Sequence, residues 1–175
     1  MSLANWDGGH FLGIAEKGYS EKFQFAFFPL YPFLIGILNS LLNNFLLSAS
    51  LISIISFFLG LHFLYRLIYK IFNKKIAEKA VCALLFFPTS FYFLTAYSEG
   101  LFFLLVVLTF YFLEDRKIFW ASIFAALASA TRLPGLALCL AIIVATRTSF
   151  GINRKNSGSK RSPKTYFRIL KGVKL

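Results

Sequence analysis

Apolar residues form long runs along this chain, and short polar or proline-containing breaks separate one run from the next. An unbroken run at residues 46–65 is long enough, as a helix, to cross about 30 Å of hydrocarbon. In lipid, each backbone group must be paired within its own segment, so such runs favour helices. The pattern therefore predicts an all-α, multispanning transmembrane protein.

Further apolar runs follow the first, at residues 80–97, 101–113, 118–131 and 136–146. Pro88 lies inside the second run and removes one helical hydrogen bond, so we expect a kink there. Thr89 and Ser90 follow it and are expected to help satisfy the freed backbone. The 118–131 run is rich in Ala and Ser, small residues that let membrane helices approach closely. About five spans are predicted.

The first 44 residues differ from the rest of the chain. Residues 1–26 are polar and contain glycine, which favours a loop or a short interfacial helix. Residues 27–44 are apolar but are interrupted by Pro29 and Pro32, so we predict a helix lying in the membrane interface. The transmembrane domain is thus predicted to cover residues 1–150, beginning with an extracytoplasmic loop that carries this interfacial helix.

Charge is sorted along the chain, which has a formal net charge of +12. Residues 66–79 carry five basic residues against one acid, and residues 147–175 carry nine basic residues and no acid. The positive-inside rule places both segments in the cytoplasm, with 151–175 as a basic tail or linker. Anionic lipid headgroups are the expected partner of this tail, and nucleic acid is not. Five alternating spans then put the N-terminus, Glu99 and Arg132 on the extracytoplasmic side.

Four stretches of this chain carry motifs. Residues 6–11 are Trp-Asp-Gly-Gly-His-Phe, residues 27–32 are Phe-Phe-Pro-Leu-Tyr-Pro, and two more motifs occupy 87–102 and 128–135. In this order they resemble the PIG-V-like mannosyltransferases, which belong to the GT-C class of multispanning glycosyltransferases. The resemblance covers about residues 5–146.

The resemblance implies transfer of a sugar, expected to be mannose, from a polyprenyl- or dolichyl-phosphate donor to a lipid or glycan acceptor. The reaction would occur on the extracytoplasmic side with inversion, as in GPI-anchor-like biosynthesis. No cofactor is implied, because the lipid-phosphate-linked sugar is itself the donor substrate. The family has a helix before the Trp-Asp loop and more helices after the matched part. This chain is therefore expected to be an N-terminal-half fragment.

The alternative is a non-catalytic membrane scaffold or an inactive partial glycosyltransferase. A transporter is less favoured, because no inverted repeat is visible. A nucleotide-sugar enzyme is also less favoured, because the sequence has neither a glycine-rich phosphate loop nor an Asp-x-Asp motif.

Asp7 is the candidate catalytic residue. The resemblance implies that its carboxylate is the base that deprotonates the acceptor hydroxyl; the alternative is an Asp that caps a short helix. His10 would share a helical face with Asp7, and would orient the acid or bind the acceptor. Trp6 would stack on a sugar or anchor the chain at the interface. Asp7 and His10 supply two ligands, too few for a metal site, so none is predicted.

Glu99 and Arg132 are charges in breaks between apolar runs. Arg132 is expected to hold the donor phosphate, because a guanidinium matches phosphate geometry, and Glu99 would position Arg132 or a hydroxyl. The alternative is a structural ion pair. An Arg at membrane depth costs on the order of 2.5–3.5 kcal/mol on insertion scales, so it needs a partner such as Glu99 or an anionic ligand.

Other residues of the apolar segments are assigned structural roles. Cys82 and Cys139 are predicted to be small buried residues, not a disulfide or a metal pair. His62 is predicted to pack between helices. Tyr31, Tyr92 and Tyr97 are predicted to line a cavity or the interface.

Overall fold

The computed structural model describes residues 7–155, with the surroundings of side chains for residues 7–146. This described part is all-helical, which confirms the all-α part of the predicted fold class. Three short 3-10 helices, at Lys22–Ala26, Ser90–Leu94 and Leu133–Leu136, supplement the α-helices. The α-helices are α1 Asp7–Lys17, α2 Leu30–Leu42, α3 Phe45–Ile71, α4 Lys74–Leu85, α5 Glu99–Glu114, α6 Ile118–Ser129 and α7 Ala137–Lys155.

One helix of the described part, α3, is long and apolar enough to cross a membrane, judged by its length and composition. The predicted run at 46–65 lies wholly within it. The other apolar helices are shorter, and the predicted count of five spans stays a prediction. Asn43 adopts a left-handed conformation (φ 50°) that ends α2. Asn44 then caps α3, because its side-chain oxygen accepts the backbone N–H of Leu47 at 3.0 Å.

Helices α3 and α5 pack side by side and run in the same direction. The start of α5 touches the first half of α3, where Gly100 lies against the Ser53 backbone. Near their other ends, Lys70 Nζ pairs with the Asp115 carboxylate at 2.8 Å and lies 3.9 Å from the Tyr111 ring centroid. The segment between them must therefore return along most of the length of α3.

Helix α6 runs back against α5. The Phe112 ring stacks on Phe124, with ring centroids 5.4 Å apart. The buried face of α6 consists of alanines, at positions 121, 125 and 128, each no more than 1% exposed. The predicted close approach through small residues is confirmed, and it brings the end of α6 to the start of α5.

The segment between α3 and α5 differs from the second predicted span. Residues 80–97 do not form one kinked helix, so that prediction was wrong. Helix α4 ends at Leu85, and Pro88 lies in a turn that is followed by a 3-10 helix. Pro88 has no N–H to donate to the Leu84 carbonyl four residues before it. The Ser90 hydroxyl shares its one hydrogen between that carbonyl and the Phe87 carbonyl, which lies at 2.7 Å. The predicted help from Ser90 is confirmed, but the break is a helix end.

Several structural assignments also change. Cys82 and Cys139 are free, as predicted, but both are exposed, so the prediction that they are buried was wrong. His62 is exposed as well, with its ring against neighbouring Phe63, and does not pack between helices. Tyr31 is fully buried in the core and does not line a cavity. Residues 151–155 of the predicted tail or linker are helical, and 156–175 lie outside the described residues.

Replacing Gly100 with Ala is expected to destabilise the fold. An added Cβ would lie 2.5 Å from the Ser53 carbonyl oxygen, and a backbone atom cannot move aside cheaply. Overpacking of this kind costs about 1–3 kcal/mol, so the thermal midpoint in detergent should fall. Gly13→Ala is the matched control, because its Cβ would meet no atom within 4 Å. Equal midpoints for the two variants would show that α3 and α5 are not in this close contact.

Candidate active site

A pocket of about 210 Å³ lies at the end of the bundle where α1 and α5 begin and α6 ends. We call it the polar pocket. Its apolar wall includes Phe11, Phe28 and Pro134. The polar residues that line it are Asp7, Ser98, Glu99, Thr131 and Arg132. These groups come from three separate parts of the sequence, so the bundle, and not local sequence, brings them together.

Glu99 and Arg132 form an ion pair between Oε1 and Nη1, with side chains 28% and 37% exposed. Glu99 is the first residue of α5. Arg132 is held in an extended conformation directly after α6, where its backbone N–H still donates to the Ala128 carbonyl at 3.0 Å. The predicted pairing of these two charges is therefore present.

Both members of the ion pair keep hydrogen-bonding groups that the pair itself does not use. Within the described part of the chain, Arg132 makes one side-chain hydrogen bond, from Nη1 to Glu99. Its other N–H donors are therefore available to a ligand. Glu99 Oε2 is buried and has no hydrogen-bond partner within the described chain. A guanidinium anchored by one nitrogen in this way is well prepared to bind an oxyanion with the rest.

Asp7 is exposed and is the first residue of α1. Its carboxylate makes no hydrogen bond to the residues the structure describes. Burial raises the pKa of the neighbouring Tyr97 phenol, and the negative charges of Asp7 and Glu99 raise it further, as does Tyr92. Asp7 and Glu99 therefore act on one ring, which places both carboxylates at the same end of the bundle.

The remaining predicted site residues are placed differently. His10 does not line the polar pocket; its ring packs against Phe23 and Phe27, with centroids 5.1 and 5.2 Å apart. This contact holds α1 against the segment that leads into α2. Trp6 lies outside the described residues. The roles suggested for His10 and Trp6 stay predictions.

Sequence reasoning missed Ser98, Thr131 and Phe28 as lining residues. Each belongs to one of the recognised motifs, so membership of that motif was the available signal. Across 7–146, no three side chains of His, Cys, Asp or Glu lie together in a way that could hold a metal ion. A reaction without a metal stays a prediction.

The described residues form an all-helical fold with one helix suited to a bilayer and a pocket in which a carboxylate is paired with an arginine. The chain belongs to the Mannosyltransferase (PIG-V) family, whose model matches residues 1–156. The resemblance found in the sequence motifs is thereby confirmed. No solved structure matched the chain.

Relatives of this chain in animals indicate the same family. The chain is 32% identical over 149 residues to human GPI alpha-1,6-mannosyltransferase 2, covering 77% of this chain and 29% of the relative. It is 33% identical over 111 residues to GPI mannosyltransferase 2 of Drosophila pseudoobscura pseudoobscura, covering 57% of this chain and 25% of the relative. The chain therefore spans less than a third of the length of these relatives.

Proposed function

We propose that this chain forms the donor-phosphate site and the base of a membrane mannosyltransferase. The enzyme transfers mannose from a polyprenyl- or dolichyl-phosphate donor to a lipid or glycan acceptor on the extracytoplasmic side. One observation carries the proposal: Asp7, Glu99 and Arg132, which lie in separate helices and breaks, line one pocket. The family and the names of the relatives support the choice of mannose.

Arg132 binds the phosphate of the donor in this proposal. Glu99 holds one guanidinium nitrogen, which leaves the other N–H donors to bind the phosphate as a fork. The phosphate is anionic both in the bound donor and in the transition state, so a fixed cation stabilises both and acts mainly on the affinity for the donor. Glu99 thus orients the arginine, and Arg132 supplies the electrostatic stabilisation.

Asp7 serves as the general base. The acceptor hydroxyl oxygen forms a bond to the anomeric carbon while its proton passes to the Asp7 carboxylate. The bond from that carbon to the phosphate oxygen breaks, and its electron pair stays on the lipid phosphate. Attack from the face opposite the phosphate inverts the anomeric centre. In this proposal the acid and the arginine, which line the same pocket, act on opposite sides of one sugar.

The position of the charges supports the proposed membrane orientation. The basic segment 66–79 and the Lys70–Asp115 pair lie at the end of α3 that is opposite to the polar pocket. The positive-inside rule assigns that end to the cytoplasm, so the pocket faces the other side. Exposed Lys and Arg side chains at the cytoplasmic end would contact anionic lipid headgroups.

A transfer assay tests the proposed function. The chain is reconstituted in nanodiscs with polyprenyl-phosphate [¹⁴C]mannose and a lipid extract that supplies acceptors. We expect the label to move from the donor into a product that resists mild acid hydrolysis of the sugar phosphate. If the folded chain transfers no label with any of the lipid extracts that supply acceptors, the scaffold alternative is supported.

A further inference from the structure

We propose that Leu30 and Tyr31 form a positioning clamp, which fixes the distance between Glu99 and Arg132. The inference rests on the proposed function of the polar pocket. Neither clamp residue lines that pocket. Each instead makes a hydrogen bond that leads to the backbone beside one member of the ion pair.

The first bond leads to the α5 side. The Tyr31 hydroxyl lies 2.8 Å from Ser53 Oγ and 3.0 Å from the Ala49 carbonyl oxygen. Ser53 Oγ in turn donates to the Tyr97 carbonyl at 2.7 Å, two residues before Glu99. Tyr31 is therefore linked through one serine to the segment that enters α5.

The second bond leads to the α6 side. The Leu30 backbone N–H donates to the Ala130 carbonyl at 3.0 Å, two residues before Arg132. Leu30 is the first residue of α2, where a backbone N–H has no partner within its own helix. The end of α6 supplies that partner.

The geometry assigns the Tyr31 hydroxyl a role beyond packing. The ring is fully buried and packs edge-on against Phe11, with centroids 5.1 Å apart. A phenylalanine would keep that packing, but the hydroxyl alone reaches Ser53. Glu99 and Arg132 are 33 residues apart in sequence and lie at the ends of different helices. A rigid connection through the start of α2 is therefore an efficient way to hold their spacing.

Tyr31→Phe tests the clamp. Amide hydrogen exchange should rise about three- to tenfold at residues 98–102, with the rest of α5 unchanged, because a typical buried hydrogen bond has an effect of this size. KM for the polyprenyl-phosphate mannose donor should rise by a similar factor, while kcat changes by less than about twofold. A loss of packing would lower the amount of folded protein and leave KM unchanged.

Ser53→Ala is the second variant, since it removes the link to Tyr97 and keeps the bond from Tyr31 to Ala49. It should have the same two effects, and the double variant should be no worse than either single one, because the two hydroxyls act as one unit. Thr109→Val is the matched control. Its buried hydroxyl bonds the Leu105 carbonyl at 2.8 Å, away from the pocket.

The clamp is overturned if Tyr31→Phe alters exchange evenly along the bundle, leaves it unchanged, or changes the donor KM no more than Thr109→Val does. If Tyr31→Phe does not fold, Ser53→Ala decides on the same criteria. A wild-type chain that transfers no mannose would defeat the proposed function. The exchange comparison would still decide the clamp in that case, because it needs no activity.

Discussion

Replacing Asp7 with Asn is expected to reduce mannose transfer by about 100- to 10,000-fold, the usual contribution of a general base. An amide has nearly the shape of the carboxylate but cannot accept the acceptor proton. Asp7 is exposed and makes no hydrogen bond to the described residues, so the change should leave the fold intact. Initial rates of label transfer at saturating donor measure the effect, with the thermal midpoint recorded alongside.

Glu16→Gln is the matched control for this substitution. Glu16 is an exposed acid on the same helix and lies outside the polar pocket. Its variant should transfer mannose at the wild-type rate, because only the overall charge of α1 changes. Transfer by Asp7→Asn at the rate of the Glu16 control would remove Asp7 from the catalytic role.

Replacing Arg132 with Lys is expected to weaken donor binding by about 10- to 100-fold, the range for losing a hydrogen bond to a charged group. Lysine keeps the positive charge but lacks the planar fork that can hold Glu99 and a phosphate together. Polyprenyl phosphate in nanodiscs is the probe, and its dissociation constant is measured by calorimetry. The rate at saturating donor should fall much less than the affinity.

The opposing interpretation of Arg132, a purely structural ion pair, makes a different prediction. An ammonium would still pair with Glu99, so binding of polyprenyl phosphate would be unchanged and only stability would shift. Arg66→Lys is the control, since Arg66 is exposed and lies toward the other end of α3. Equal affinities for the two Lys variants would favour the structural pair.

The helices were predictable where apolar runs were long and bounded by strong breaks. The run at 101–113 corresponds to α5 and the run at 118–131 to α6, each within two residues at either end. The run at 80–97 was misread, because hydropathy does not distinguish a membrane helix from a helix end followed by a packed turn. Pro88 removed the bond that continuity required, and only the fold shows that Ser90 replaced it with a side-chain bond.

The polar pocket was predictable in part. The sorting of charge suggested that Asp7, Glu99 and Arg132 share one side, because each interrupts or precedes an apolar run at a position fixed by the alternation of spans. Tyr31 and Ser53 gave no such signal. Their hydrogen bond joins residues 22 positions apart inside the core, and a buried hydroxyl in an apolar run resembles any other core residue in sequence.

The most direct test of the proposed site measures donor binding and single-turnover transfer on the same nanodisc preparations. Wild type, Asp7→Asn and Arg132→Lys are compared. We expect Asp7→Asn to bind polyprenyl-phosphate mannose as wild type does and to transfer almost none of it. Arg132→Lys should bind weakly, and raising the donor concentration should restore much of its transfer. If the two variants lose binding and transfer to the same extent, the separate roles of base and phosphate site are contradicted.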